Sequence, residues 1–331
     1  MTLPTTMHFI SAVSADADGL QIKTGPVPQP GAGQVLIRVA AAGVNRADIL
    51  QRMGKYPPPQ DASDIIGLEV SGEIIALGAN VAQWRAGDMV CALLSGGGYA
   101  EYAVADAACC LPIPDSVSIV DAAGIPEVAF TAYSNLIMAG GLQPNETILI
   151  HAGASGVGTF AIQLAHAHGA RIFATVGSPE KQIFCKDLGA EAVINYRTED
   201  FLPTVQRLTD GKGVDMILDV LGGSATEKNI DLLATGGRLI VIACPDGARA
   251  QINLVRLMQK RLQLRGTTLR SRPLAEKAEI AAHLQATIWP MFANKKLRPV
   301  IYQTLKLSEA AIAHRIMESR QNIGKLVLTV G

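Results

Sequence analysis

The stretch Thr147 to Gly177, TILIHAGASGVGTFAIQLAHAHGARIFATVG, constrains this chain more than any other. A short apolar run meets the small residues Ala152 to Gly158, then a helical pattern, then a second apolar run. Against the dinucleotide template G-x-G-x-x-G, Gly153 and Gly158 hold the outer positions and Ser155 the middle one. The outer glycines permit a tight turn and close packing of helix on strand. A middle serine leaves less room for a diphosphate, although its hydroxyl can donate to a phosphate oxygen. In the helix that follows, Val157, Phe160, Ala161, Leu164, Ala165 and His168 share one stripe, and Gly169 suits its end. The free N–H groups of its first turn favour an anion. The competing reading is a glycine-rich turn with packing value only. The setting between strand and helix favours a nucleotide loop.

The same alternation continues around this stretch. From about Val128, the strand-like runs TILIH, RIFATV, AVIN, VDMILDV, GRLIVIA and QLRGTTL are separated by amphipathic segments. That order argues for βαβ units and a doubly wound parallel sheet. The earlier residues read differently. QVLIRVAAAGV, EVSGEIIAL and DMVCALL are short strands between glycine- and proline-rich turns, the pattern of a β-rich unit. From about Ser271 come one long helical stretch, a second near Ala310, and a last strand, GKLVLTV, expected to fold back onto the first unit. The expected class is therefore α/β, with residues 1–127 and 271–331 forming one domain and 128–270 the other.

Composition narrows the partners. Lysine plus arginine equals aspartate plus glutamate, at 29 each, so charge gives no case for nucleic acid or an anionic membrane surface. No apolar run approaches the roughly 18 residues of a membrane helix. The start, MTLPTTMHFISAV, has no basic residue ahead of an apolar run and does not read as a signal peptide. Five cysteines with no C-x-x-C pair argue against a disulfide framework or a structural zinc. A reducing, cytoplasmic setting is expected.

The second strand decides the coenzyme. An NAD-preferring site places an acid near its tip to bind the ribose hydroxyls. Here the tip is Gly177, followed by Ser178-Pro179-Glu180-Lys181. Ser178 reads as a helix cap with Pro179 at the first helical position, and Lys181 adds a positive charge. NADPH is the expected cofactor; an ordinary solvated helix start is the alternative.

These residues resemble a known family. GVNRADILQRMGKYPPP, IIGLEVSGEI, AAGIPEVAFTAY, LIHAGASGVGTFAIQLA, VGSPEK, GVDMILDVLGG and NIGKLVLTV are together similar to the zinc-free medium-chain dehydrogenase/reductases of the quinone oxidoreductase type. The resemblance covers nearly the whole chain. It implies a GroES-like β-rich domain plus a Rossmann domain, a nicotinamide cleft between them, and a homodimer joined through the Rossmann sheet edges. Zinc-dependent relatives carry cysteine where this chain has Asn45, and GHE where it has Gly67-Leu68-Glu69. The catalytic zinc ligands are thus replaced, and no metal is expected.

The resemblance also implies site residues. Asn45 and Thr131 would lie beside the nicotinamide and its ribose, and Tyr56 at the active-site mouth. Ser155, Gly156 and Val157 would hold the diphosphate. Gly177, Ser178, Lys181 and Tyr196 would surround the 2′-phosphate. Ala243 and Cys244 would pass under the nicotinamide, Leu269 and Arg270 would close over it, and Asn322 would touch the cofactor again. Relatives often carry an aromatic-glycine pair where Cys244-Pro245 stand. Other readings remain at several positions. Asn45 could cap a helix, Tyr56 could be a surface loop residue, and Glu69 reads as a buried structural acid. His151 suits a packing role, and Cys91, Cys109, Cys110 and Cys185 read as small core residues.

The activity implied is hydride transfer from NADPH to a quinone or another electron-poor acceptor, without metal. Reduction of an enone or enoyl-thioester is the alternative enzyme reading. A structural or regulatory NADPH-binding protein with little turnover is the alternative of another class.

Overall fold

The computed structural model describes residues 4–331; Met1 to Leu3, the start of the N-terminal stretch read above, lie outside them. The chain divides into two compact units, residues up to Phe130 with Leu269–Gly331, and Thr131–Thr268.

The first unit is a seven-stranded sheet with a separate hairpin. The hairpin pairs Thr6–Ala12 with Leu20–Pro26. The sheet is organised by the strand Gln34–Val44. One edge of that strand pairs with Glu69–Leu77. The other edge is shared: residues Gln34 to Arg38 pair with Tyr102–Asp106, and Ala41 to Val44 with the C-terminal strand Lys325–Thr329. Alternation explains why almost the whole strand is buried. Val35, Ile37 and Val39 enter the main core, while Leu36 turns to a second cluster with Met7, Val27 and Ala100. Ile301–Lys306 runs parallel to Lys325–Thr329, so the tail adds two strands to a sheet begun near residue 34.

The second unit is a six-stranded, all-parallel sheet. Its strands lie in the order Ala192–Asn195, Arg171–Val176, Thr147–Ile150, Val214–Asp219, Leu233–Val241, Gln263–Gly266. This is the 3-2-1-4-5-6 order of a Rossmann fold. Leu149, Phe173, Ile194, Ile217 and Leu239 line one face and pack with Phe201, Val205 and Ile230 from the covering helices. The order reverses beside Thr147–Ile150, which places the turn after that strand at the switch point where such sheets bind ligands.

The two longest strands expected of the first unit, Gln34–Val44 and Glu69–Leu77, occur at those bounds. Others shift. QLRGTTL gives only Gln263–Gly266, after which the Thr267 hydroxyl bonds Asn135 Oδ1 at 2.5 Å. The strand expected from Gly237 begins at Leu233. The N-terminal hairpin was not anticipated, because its second strand, LQIKTGP, is mostly polar and exposed. The helix Gly156–Ala167 also departs from the one-stripe expectation. Every residue from Gly158 to Ala165 is buried, Gln163 included, so it is enclosed on all sides.

Gly72, paired with Val39, tests the tightness of the first sheet. A methyl group there would run into the Arg38 carbonyl and approach Ile37 Cγ2 at 2.8 Å. Gly72→Ala is expected to destabilise the protein by at least ~1–3 kcal/mol, measured by urea unfolding, because backbone cannot yield as a side chain does.

Candidate functional site

In the second unit the nucleotide loop is built by backbone. Ala152 adopts φ +51°, a left-handed conformation, and its carbonyl accepts the Ser155 N–H at 2.9 Å. The Gly153 N–H bonds the Thr175 carbonyl at 2.9 Å, fixing the loop to the neighbouring strand. A Cβ on Gly153 would lie 2.8 Å from Ala174 Cβ, and one on Gly158 would strike the Ala152 carbonyl. Ser155 caps the helix by accepting the Gly158 N–H at 3.0 Å. Its hydroxyl proton stays available for a phosphate, and the N–H groups of Gly156 and Val157 have no intrahelical acceptor. Below the loop His151 is buried and bonded at both ring nitrogens, to Thr175 Oγ1 at 3.0 Å and Asn229 Oδ1 at 2.8 Å. That is a packing role, and burial lowers its pKa.

The tip of the second strand carries a feature sequence reasoning missed. A Cβ on Gly177 would lie 2.6 Å from the Tyr196 hydroxyl and 3.4 Å from Arg197 Nε. Ser178 caps the helix Pro179–Asp187 by accepting the Lys181 N–H at 3.3 Å. The Lys181 ammonium is lowered in pKa first by burial and then by the nearby Arg197 charge. Two cations, a capped helix start and a phenol therefore surround a strand tip without a carboxylate. Arg197 escaped notice because it belongs to the next strand's exit, well removed from Gly177 in sequence. Thr131 is buried, and its carbonyl accepts Asn135 Nδ2 at 2.8 Å. Ala243 and Cys244 are exposed beyond the strand Leu233–Val241, where a Cβ on Gly222 would lie 2.6 Å from Cys244 Cβ.

In the first unit the polar residues gather around one cation. Lys325 donates to Asn45 Oδ1 at 2.6 Å and to the Val44 carbonyl at 2.8 Å, and its Nζ lies 2.6 Å from Glu69 Oε1. Asn45 Nδ2 donates to the same Glu69 oxygen at 2.9 Å, and the Glu127 N–H donates to Glu69 Oε2 at 2.9 Å. Glu69 is wholly buried and is a structural acceptor. Asn45 also stands at the cap position of the helix Arg46–Arg52, its N–H bonded to Asp48 Oδ2 at 2.7 Å. Asp48 continues a buried chain. Tyr99 Oη donates to Asp48 Oδ2 at 3.1 Å and meets His314 Nε2 at 3.2 Å, and His314 Nδ1 meets Arg52 Nη1 at 3.0 Å. Arginine can only donate, so Nδ1 accepts and Nε2 carries the proton. Arg52 ends the chain on Glu318.

Tyr56 and Arg270 come together in the first unit. The Arg270 guanidinium lies 5.5 Å from the Tyr56 ring centre, and Nη1 donates to the Tyr56 carbonyl at 3.3 Å. Arg270 Nε holds the Ser95 carbonyl at 2.8 Å, and Lys277 Nζ holds the Arg270 carbonyl at 2.8 Å. Tyr56 is half-buried, and its pKa is raised by burial and by Glu127, so it remains a hydroxyl donor near neutrality. Leu269 is buried beside Arg270. Asn322 turns inward on its own loop, Nδ2 donating to the Gly324 carbonyl at 2.8 Å. Cys91, Cys109, Cys110 and Cys185 are buried free thiols. Among the described residues, no group of three His, Cys, Asp or Glu is arranged to hold a metal ion.

Residues 31–115 match the alcohol dehydrogenase GroES-like domain, and residues 156–286 the zinc-binding dehydrogenase family. A quinone oxidoreductase of Sus scrofa is 33% identical over 309 residues, 91% of each chain. The chain belongs to the medium-chain dehydrogenase/reductase family. Members of this family are oxidoreductases that use nicotinamide cofactors. A component of the phenolphthiocerol/phthiocerol polyketide synthase of Mycobacterium tuberculosis is 34% identical over 322 residues, 95% of this chain. The chain spans only 14% of that protein's length. The solved structure of JamJ enoyl reductase in its apo form superposes with TM-score 0.88 at 28% identity, covering 98% of this chain and 99% of that one. Among the described residues of this dehydrogenase/reductase, no helix is long and apolar enough to cross a membrane.

Two acids of the first unit titrate far from their usual range. Burial pushes Asp48 up to about 7, partly offset by the Asn45 N–H, and its Oδ1 has no partner. Burial and the Glu69 charge push Glu127 up to about 8. His314 is held neutral by burial and by Arg52, down to about 3. Because folded Asp48 keeps a proton that the unfolded chain releases, its contribution to stability is full below pH ~4 and is lost as pH rises through about 7. Asp48→Asn keeps an acceptor for Asn45 and Tyr99 but cannot ionise. Thermal unfolding should show the wild type losing stability relative to Asp48→Asn between about pH 4 and pH 7, the window spanned by the shift. Parallel curves would count against the buried proton.

Proposed function

We propose that this protein is an NADPH-dependent quinone oxidoreductase that transfers hydride without zinc. The observation that carries the coenzyme is the strand tip: Gly177 faces the Tyr196 hydroxyl and Arg197, with Lys181 beside them. Two positive charges favour a 2′-phosphate, and a carboxylate that would repel it is missing from the tip. What supports the acceptor class is the likeness to a quinone oxidoreductase over nine-tenths of both chains.

The loop fits a dinucleotide, since Gly153 and Gly158 admit no Cβ. Ser155, Gly156 and Val157 would hold the diphosphate; Ser178, Lys181, Tyr196 and Arg197 would hold the 2′-phosphate. NADPH bound there supplies a hydride. The chain's share is positioning and exclusion of water. Tyr56, kept protonated, would donate to the acceptor's carbonyl oxygen, with Arg270 stiffening the loop that carries it. A zinc-independent reaction is supported by Lys325. Its ammonium occupies Asn45 and Glu69, and Asn45 replaces the cysteine ligand of zinc-dependent relatives.

Reduction of an enone or enoyl-thioester is the second reading, favoured by the likeness to JamJ enoyl reductase. Oxidation of NADPH and NADH, followed side by side with a quinone, an enone and an enoyl-CoA, separates them. Arg197→Ala should lower kcat/KM for NADPH by about 10–100-fold, the worth of one charged hydrogen bond, and leave NADH unchanged. Equal effects on both coenzymes would remove the 2′-phosphate argument.

A homodimer is proposed as well. The strand Gln263–Gly266 ends the six-stranded sheet with an open edge. In the helix Leu254–Gln259, Leu254 and Met258 are each 65% exposed. Met258→Glu should convert a dimer to a monomer by light scattering; a wild-type monomer would overturn the assignment. The five free cysteines suit a reducing, cytoplasmic setting.

A further inference from the structure

His151 fills space beneath the nucleotide loop, yet three polar side chains meet there where apolar ones would pack as well. Its ring stands T-shaped against Phe201 at 5.0 Å, and its backbone N–H holds the Leu218 carbonyl at 3.1 Å. The two ring nitrogens reach different elements, Thr175 on the strand Arg171–Val176 and Asn229 on the helix Ala225–Leu232. All three side chains belong to residues at most 2% exposed. Asn229 sets its oxygen against Nε2, and among the described residues its amide nitrogen, buried as well, has no partner. An unmet buried donor costs stability, and a leucine would fill comparable space without that cost. The value of the asparagine therefore lies in the oxygen it offers the ring.

That oxygen gives the hydrogen bonds a direction. Burial lowers the pKa of His151, outweighing the Asn229 bond and the Asp219 charge, so the ring is neutral with a single proton. An amide oxygen only accepts, so Nε2 carries the proton and Nδ1 accepts. The Thr175 hydroxyl then donates to Nδ1 at 3.0 Å, which leaves its lone pairs for the Ala152 N–H at 3.4 Å. The Thr175 carbonyl takes the next N–H, that of Gly153, at 2.9 Å. One residue thus holds two successive amides of the loop. The first belongs to Ala152, whose φ of +51° is a conformation an alanine keeps only where its surroundings impose it. The Ala152 carbonyl meets the helix in turn, accepting the Ser155 N–H at 2.9 Å and standing where a Cβ on Gly158 would strike it. A shift of Ala152 is passed to the first turn of Gly156–Ala167, whose free N–H groups suit an anion.

We propose that Thr175 is the positioning residue of the dinucleotide loop, and that His151 and Asn229 aim its hydroxyl. This rests on the reading of Ala152 to Gly158 as a nucleotide loop. The three side chains act through Ala152 and not as ligands of the diphosphate. Their effect falls on the part common to NADPH and NADH, because the atoms they hold lie in the loop and not at the tip Gly177. That separates them from Lys181 and Arg197, which are placed to tell the two coenzymes apart.

The test titrates the whole protein with NADPH and with NADH by fluorescence, comparing wild type, Thr175→Val, Thr175→Ser and Asn229→Leu. Thr175→Val keeps the volume and loses the hydroxyl; it should weaken both coenzymes by about 3–10-fold, the worth of one neutral hydrogen bond. Thr175→Ser should bind within about twofold of wild type. Asn229→Leu should weaken both coenzymes too, while thermal unfolding of the coenzyme-free protein stays unchanged or rises. The double variant should bind no worse than Thr175→Val alone, because both changes act through one hydroxyl. Nitrogen NMR of histidine-labelled protein should find the His151 proton on Nε2 in the wild type and on Nδ1 in Asn229→Leu. Wild-type affinity in Thr175→Val, losses that add in the double variant, a fall in Asn229→Leu stability that matches its affinity loss, or a wild-type proton on Nδ1 overturns the proposal and leaves the nucleotide reading standing. A wild type that binds neither coenzyme overturns that reading and this inference with it.

Discussion

A single ammonium group, Lys325 Nζ, holds the interior of the first unit together. It is 4% exposed and touches the end of one strand, the cap residue of a helix and a wholly buried glutamate. Taking either charge out of water costs several kcal/mol, and their attraction offsets this only with good geometry and further hydrogen bonds. Those bonds are present. Asn45 and the Glu127 N–H satisfy the Glu69 oxygens, and two carbonyl-type acceptors satisfy the lysine. Loss of one partner would strand the other, a change of about 3–5 kcal/mol in comparable pairs. The tail therefore has an electrostatic reason to return. Its last strand brings the cation that neutralises Glu69, a buried acid supplied by the first half of the unit's sheet.

That arrangement sets the protonation of everything around it. Lys325 is spent on Glu69, so Asp48 and Glu127 have no dedicated counter-charge in the same low-dielectric region. Their cheapest state near neutrality is to keep a proton, which is why burial heads the causes of both shifts. His314 obeys the same rule with the opposite sign. A buried imidazole beside Arg52 stays neutral, and its neutral tautomer passes a hydrogen bond to Tyr99. Around Glu69 the unit thus carries a polar interior in which one ion pair is explicit and the neighbouring acids and imidazole are discharged.

Much of the second unit was legible because its signals are local. The strand-turn-helix around Gly153 needs small residues at fixed spacing, and the parallel strands read as apolar runs bounded by turns. The first unit was legible in its two longest strands, in Met89–Leu93 and in the returning strand Lys325–Thr329. Its hairpin strand Leu20–Pro26 is polar and exposed, so no period marks it. Ile301–Lys306 alternates weakly and lies far from its partners in the chain. The site residues divide the same way. Ser155, Ser178 and Lys181 announce themselves through caps and motifs. Arg197, Lys325, Tyr99 and His314 are brought to their places by pairing between segments distant in the chain, which no periodicity encodes. Asn45 was read either as a neighbour of the nicotinamide or as a helix cap; the structure gives it the cap position and, beyond that reading, bonds to Glu69 and Lys325. The stripe assigned to the helix Gly156–Ala167 was too narrow, because Ala, Gly and Thr on its other face read as neutral although they are enclosed.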